Sequence, residues 1–192
     1  MMTEQNKSGK ELSDYGIIYL SGEISDELSD QVNREIIEMN VSGKVDHIQM
    51  IINSPGGSVF AGLAIIDMME WSRIPIYTTG LGMIASAALM IFMVGEHGRR
   101  VVTPRTSILS HRFSALHMGN HSQLLASRKQ DDLLHDRIVE HYLTYTSVES
   151  VEKLEQTLLK DVDAWLTLAE AKDLGIVDII EPLRPLHKAH AK

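Results

Sequence analysis

The chain has 192 residues, 44% of them hydrophobic, enough to bury a sizeable core within one compact domain without covalent staples. A net charge of −8 with scattered Lys and Arg leaves no basic stripe to neutralise phosphates, which argues against a nucleic-acid partner. No cysteine means no disulfide framework and no thiol chemistry. The polar opening from Met1 to Glu11 lacks a secretory core, and the longest apolar stretch, near Ile84 to Val94, is too short to span a bilayer. A cytoplasmic protein with no membrane partner is expected.

The first sixteen residues read as a short flexible segment. Ile17 to Leu20 reads as a strand, and a helix follows through Leu28, Val32 and Ile36. Val45 to Ile52 reads as a largely buried strand carrying Ile48, Met50, Ile51 and Ile52. It runs into Asn53-Ser54-Pro55-Gly56-Gly57-Ser58, after which Val59, Leu63, Ile66 and Met69 keep a helical face. Such a strand-to-helix turn exposes unpaired backbone N–H groups, although Pro-Gly-Gly is also an ordinary turn.

Ile76 to Thr79 reads as another strand. Gly80 and Gly82 permit a tight reversal, and Ala85 to Val94 reads as a buried helix, placing Ser86 in its first turn. The positive dipole end and free N–H groups there favour a developing oxyanion, which acyl transfer from a serine requires; the plainer role for Ser86 is a helix cap. His111 follows a strand-like run, Ser107 to Ser110, and supplies a base for a nucleophile at Ser86. One of nine histidines in such a place is otherwise a structural residue.

Further along, His117 and His121 stand four apart, a spacing used for zinc on a helix. The glutamate of a His-Glu-x-x-His motif is missing, and Gly119 with Asn120 weakens the helix, so the segment reads as a polar loop and no metal is expected. Ser122 to Thr146 reads as one long amphipathic helix with apolar residues at Leu124, Leu125, Leu133, Leu134, Ile138, Tyr142 and Leu143. Lys160 to Thr167 offers two carboxylates, Asp161 and Asp163. Thr167 with Glu170 forms a capping-box pattern ahead of Ala169 to Leu174, and Gly175 is a C-terminal stop. The tail from Pro182 to Lys192 reads as flexible. This alternation of strands and helices predicts an α/β protein with a mainly parallel sheet.

Four motifs in this order carry a resemblance: Asn-Ser-Pro-Gly-Gly at 53–57, Gly-x-x-Ala-Ser at 82–86, Ile-Leu-Ser-His at 108–111, and Ala-Glu-Ala-Lys-Asp-Leu-Gly-Ile-Val-Asp at 169–178. With them the chain resembles the ClpP peptidases, the proteolytic subunits of ATP-dependent Clp proteases, over roughly residues 17 to 180. The resemblance implies the ClpP/crotonase-like fold, a spiral of ββα units in a domain of residues 17–181, with the 122–146 helix as a projecting handle.

It also implies a serine endopeptidase that cleaves extended polypeptides inside a ring-shaped chamber, without a cofactor. Ser86 would be the nucleophile, His111 the general base and Asp163 the carboxylate that orients the imidazole, with Asp161 in reserve because the distance from His111 to Asp163 is a few residues longer than usual. The amides of Gly57 and Ala87 would form the oxyanion hole, with Gly56 and Ser58 along the substrate. The implied partners are polypeptide substrates, further copies of the chain in two stacked heptameric rings, and a Clp-type AAA+ ATPase.

The chain departs from the family pattern at three places. Ala87 stands where many relatives carry methionine, Arg112-Phe113 where Gln-Pro is common, and only sixteen residues precede Ile17, where relatives carry a longer stretch that docks the ATPase. Three other readings stay open: a non-catalytic ClpP-like ring subunit, an ATPase-independent processing peptidase, and a crotonase-like acyl-CoA enzyme.

Overall fold

A computed structural model describes residues 11–182; the expected tail from 183 and residues 1–10 lie outside the described residues. Leu12–Tyr15 forms a 3-10 turn, so the described end of the opening segment is ordered. β1 (Ile17–Ser21) leads into α1 (Asp26–Ser42), whose cap Ser25 accepts a hydrogen bond from the Leu28 amide and whose buried face carries Val32, Ile36 and Met39. β2 (Ile48–Ser54) buries every second residue: Ile48, Met50, Ile52 and Ser54. The expected start at Val45 is three residues early, because 45–47 precede the first rung against β3 (Ile76–Ala85).

α2 (Val59–Trp71) is capped by Ser58 and buries Ala61, Ile65, Ile66 and Met69. β3 does not reverse at Gly80 and Gly82 but runs on to Ala85. Gly80 stays in the ladder opposite Ile52. Gly82 adopts φ 58°, and the register jumps from Ile52–Gly80 to Ser54–Ile84, so the glycines make a bulge. The Asn53 side chain fills that bulge, its Oδ1 accepting from the Met83 amide at 3.2 Å. α3 (Ala87–Met93) is buried throughout and starts two residues later than expected.

The fork created by that bulge organises the rest. The first half of β3 pairs with β4 (Arg100–Val102) and the second half with β5 (Ser107–Ser110). β1, β2, β3, β4 and β7 (Ile179–Ile180) form a parallel path, while β5 carries β6 (Ala164–Leu166) antiparallel at its outer side. The protein is thus a mixed α/β fold with a central, mainly parallel sheet, consistent with the ClpP fold.

α4 (His121–Tyr145) runs 25 residues, within one residue of the expected span. Only its last three turns enter the core, through Leu134, Ile138, Val139, His141 and Tyr142. Leu124, Leu125 and Leu133, read as apolar positions of this helix, are 42%, 60% and 48% exposed, so among the described residues no element covers this half of it. α5 (Val151–Thr157) and α6 (Leu168–Asp173) complete the described helices. The Thr167–Glu170 capping box forms as read, and Gly175 follows the helix at φ 71°.

Candidate active site

Three adjacent strand ends meet beside α3. β3 stops at Ala85, β5 at Ser110, and β6 begins at Ala164; the residues just beyond these ends are Ser86, His111 and Asp163. The third position follows from register. The antiparallel rungs pair Ile108 with Leu166, Leu109 with Trp165 and Ser110 with Ala164, so His111 and Asp163 each lie one position beyond the last rung, at the same end of the pair. Asp161 lies two residues further out, and its carboxylate is 3.2 Å from the Arg112 guanidinium. The register therefore favours Asp163 over Asp161 as the partner of His111.

Ser86 is the one non-glycine residue at positive φ among the described residues, at φ 57° and ψ −126°. A conformation this sparsely populated costs of the order of 1–3 kcal/mol and persists only where neighbours enforce it. Its amide donates to Leu109 O at 3.0 Å, and its carbonyl accepts from the Leu89 and Met90 amides, so the backbone is fastened on both sides. Ser86 occupies the cap position of α3, yet its hydroxyl makes no capping hydrogen bond. The plain helix-cap role is thus not the one it plays, and its place is immediately before α3 rather than in the first turn.

The Pro-Gly-Gly turn presses against this serine. Gly56 sits at φ 93°, and a Cβ there would come within 2.7 Å of both Ala85 O and Ser86 Cβ, so only glycine lets the two turns approach so closely. Gly56 O accepts from the Ile24 amide and the Ser58 amide donates to Ile24 O, each at 2.8 Å. By strand alternation the N–H of the intervening Gly57 faces away from Ile24. Gly57, Ser58, Ser86, Ala87 and His111 border one cleft of about 340 Å³, with Met90, Phe113, Ile138 and Tyr142 as its apolar walls. A larger cleft of about 420 Å³ lies at the C-terminal ends of α3 and α4 beside Arg100, whose guanidinium is already committed to Asp178 and Tyr145 O. Ser86 and His111 line the smaller one.

Among the described residues no hydrogen bond joins the Ser86 hydroxyl to His111, or His111 to Asp163. Ser86 and His111 are half-buried and Asp163 is exposed. The fold brings the three residues to neighbouring positions without hydrogen bonds between their side chains, and unliganded sites often hold such groups apart.

Sequence reasoning missed the supports around these residues. Tyr142, read only as one apolar position of α4, has its phenol 2.7 Å from Ser110 Oγ, both buried. Burial pushes that phenol up to about 12, opposed by the Ser110 hydrogen bond. His141 Nε2 lies 3.0 Å from Met90 O in α3, and burial lowers the imidazole to about 4, the Met90 hydrogen bond opposing. Arg112 ties the chain just after His111 to the segment before β6 through Leu159 O at 2.6 Å and Glu155 at 3.3 Å. A histidine and a tyrosine side by side on an apolar helical face were the signal available for the first two. His117 and His121 do not share a helix: His117 Nε2 contacts the Asp131 carboxylate at 2.9 Å from the loop, while His121 opens α4.

Comparison with known proteins covers most of the chain. The Clp protease family profile matches residues 2–182. The ATP-dependent Clp protease proteolytic subunit of Deinococcus radiodurans is 30% identical over 164 residues, 84% of this chain and 78% of the relative. Subunit 1 of Corynebacterium jeikeium is 31% identical over 162 residues, covering 84% and 85%. Subunit 2 of Corynebacterium glutamicum is 32% identical over 162 residues, covering 84% and 79%.

Proposed function

The chain belongs to the Clp protease family, a family of serine-type peptidases, and from that premise we propose that Ser86, His111 and Asp163 hydrolyse peptide bonds as a triad. The observation that carries the reading is their position at three neighbouring strand ends, with Ser86 held at positive φ and its hydroxyl uncommitted to a cap. His111 takes the Ser86 proton as the hydroxyl attacks the scissile carbonyl, and Asp163 orients the imidazole and stabilises its charged form. The amides of Gly57 and Ala87 stabilise the tetrahedral oxyanion, His111 returns the proton to the leaving amine, and water releases the acyl group.

Polypeptide substrates lie extended along Gly56, Gly57 and Ser58, hydrogen-bonding by strand addition. The uncovered leucines of α4 support assembly into two stacked heptameric rings, in which the projecting helix meets a second copy. The relatives' names support a Clp-type ATPase as partner. Among the described residues no helix is long and apolar enough to cross a membrane. A cytoplasmic location completes the proposal, in keeping with a cysteine-free chain.

The test is labelling of wild-type and Ser86→Ala protein with a fluorophosphonate, read by intact mass, with oligomer size measured on the same samples. One adduct on the wild type and none on the variant is expected. Peptide cleavage that survives Ser86→Ala sinks the mechanism. The open triad favours one second reading, a non-catalytic ring subunit, which an assembled ring without any adduct would support.

A further inference from the structure

Two consecutive residues of α4 reach both halves of the site where the helix enters the core. His141 contacts Met90 O in the helix that follows Ser86, and Tyr142 contacts Ser110, the residue that precedes His111. We propose that Tyr142 is a positioning residue for the general base, acting through its hydrogen bond to Ser110. The proposal rests on the assignment of His111 as that base.

The geometry explains how a buried phenol acts on a residue it does not touch. β5 is only four residues long, and Ser110 is its last rung, opposite Ala164. Pairing with β3 ends one residue earlier, at Leu109. The Ser110 side chain meets Tyr142 of α4, and His111, the next residue, lines the cleft that the Tyr142 ring helps to wall. Beyond Ser110 the chain leaves the sheet, which makes the Tyr142–Ser110 bond the last buried side-chain anchor before the imidazole.

Tyr142 is 1% exposed, and its ring also walls the cleft. The phenol, like any tyrosine below its ordinary value of about 10, stays protonated throughout the neutral range, and burial raises it further. A general base must sit within hydrogen-bond reach of the proton it takes, and a displacement of about 1 Å costs about a hundredfold in rate. Loosening Ser110 lets the strand end, and with it His111, drift over such a distance.

Tyr142→Phe keeps the ring and removes the bond; Ser110→Ala removes the same bond from the other side, so poor folding of one variant leaves the test standing. Each single variant and the double are assayed for peptide hydrolysis and for the rate of fluorophosphonate labelling at Ser86, in the wild-type and the His111→Ala backgrounds. Expected in the wild-type background is a fall in kcat of roughly tenfold to a hundredfold with KM within about twofold, the double no worse than the worse single.

In the His111→Ala background the residual labelling, read at alkaline pH, should fall no further. The idea is overturned if kcat in both single variants stays within about twofold of wild type, or if the loss is as large without His111 as with it, since the tyrosine would then act on the pocket or the fold. Wild-type labelling that survives Ser86→Ala would bring down the underlying nucleophile and base assignment instead, a result these variants do not produce.

Discussion

His141 makes the stability of the fold depend on acid in a calculable way. The ring is 7% exposed, its Nε2 is 3.0 Å from Met90 O, and its centroid lies 4.8 Å from that of Tyr145. Burial disfavours the imidazolium and lowers the group from an ordinary 6.5 to about 4, against the opposing hydrogen bond to Met90 O. Between those values the unfolded chain binds a proton that the folded chain refuses, so stability rises with pH across the window. The contribution is fully present above 6.5 and is lost as the pH falls towards 4, a total of about 3 kcal/mol at ~1.4 kcal/mol per pH unit.

Glu35, raised by burial, acts in the opposite sense above its ordinary 4.5, so the comparison must be with a variant rather than with a flat line. His141→Gln can still donate to Met90 O and does not titrate. Urea unfolding followed by circular dichroism, from pH 7 to pH 4 at fixed protein concentration, should show the stability difference between wild type and H141Q changing by about 3 kcal/mol. A difference constant with pH would refute the claim that the buried ring is held neutral.

Four further outcomes follow from particular contacts. Asp163→Asn should lower kcat for peptide hydrolysis by about 10³–10⁴-fold, as loss of the orienting carboxylate does in other serine triads, whereas Asp161→Asn should stay within about threefold; the reverse order would transfer the role to Asp161. Gly56→Ala forces a Cβ against Ala85 O and Ser86 Cβ, and should cost about 2 kcal/mol in urea unfolding while abolishing fluorophosphonate labelling; near-wild-type labelling would contradict the close approach of the two turns.

Arg100 and Asp178 form a pair whose side chains are 5% and 12% exposed. Burial alone would raise the Asp178 carboxyl, but hydrogen bonds and charge from Arg100 hold it below its ordinary value. Asp178→Ala strands the guanidinium and should lower Tm by about 10 °C in a thermal melt, the equivalent of about 3–5 kcal/mol; an unchanged Tm would refute it. Leu125→Ser with Leu133→Ser should leave protomer stability within about 1 kcal/mol and shift double rings to single rings in sedimentation velocity, while an unchanged assembly would remove the uncovered leucines from the proposed ring contact.

Much of the site was legible locally. Strand and helix identities around Gly56, Gly57, Ser86 and His111 follow from apolar spacing and turn residues over a few positions, and the Thr167–Glu170 box is a contact three residues apart. The family motifs suggested roles for Ser86 and His111 through the order and spacing of Gly57, Ser86 and His111, and for Asp163 only through the aromatic residue two positions on. What local pattern misread was the Gly80–Gly82 segment, taken for a reversal. Whether glycines end a strand or bulge it depends on the neighbouring strand, here β2, whose Asn53 bonds Met83.

Other features were beyond local pattern altogether. The argument for Asp163 over Asp161 rests on the pairing of β6 with β5, segments more than fifty residues apart in sequence, and a slip of one residue would turn every side chain to the other face. The positive φ of Ser86 exists only because β5 and α3 hold its backbone from both sides. Tyr142 meets Ser110 across 32 residues for the same reason. Sequence alone determined which chemistry-bearing residues this protein possesses and the elements that carry them; only tertiary structure decided which of them face one another, because register and packing are properties of pairs of segments and no single segment encodes them.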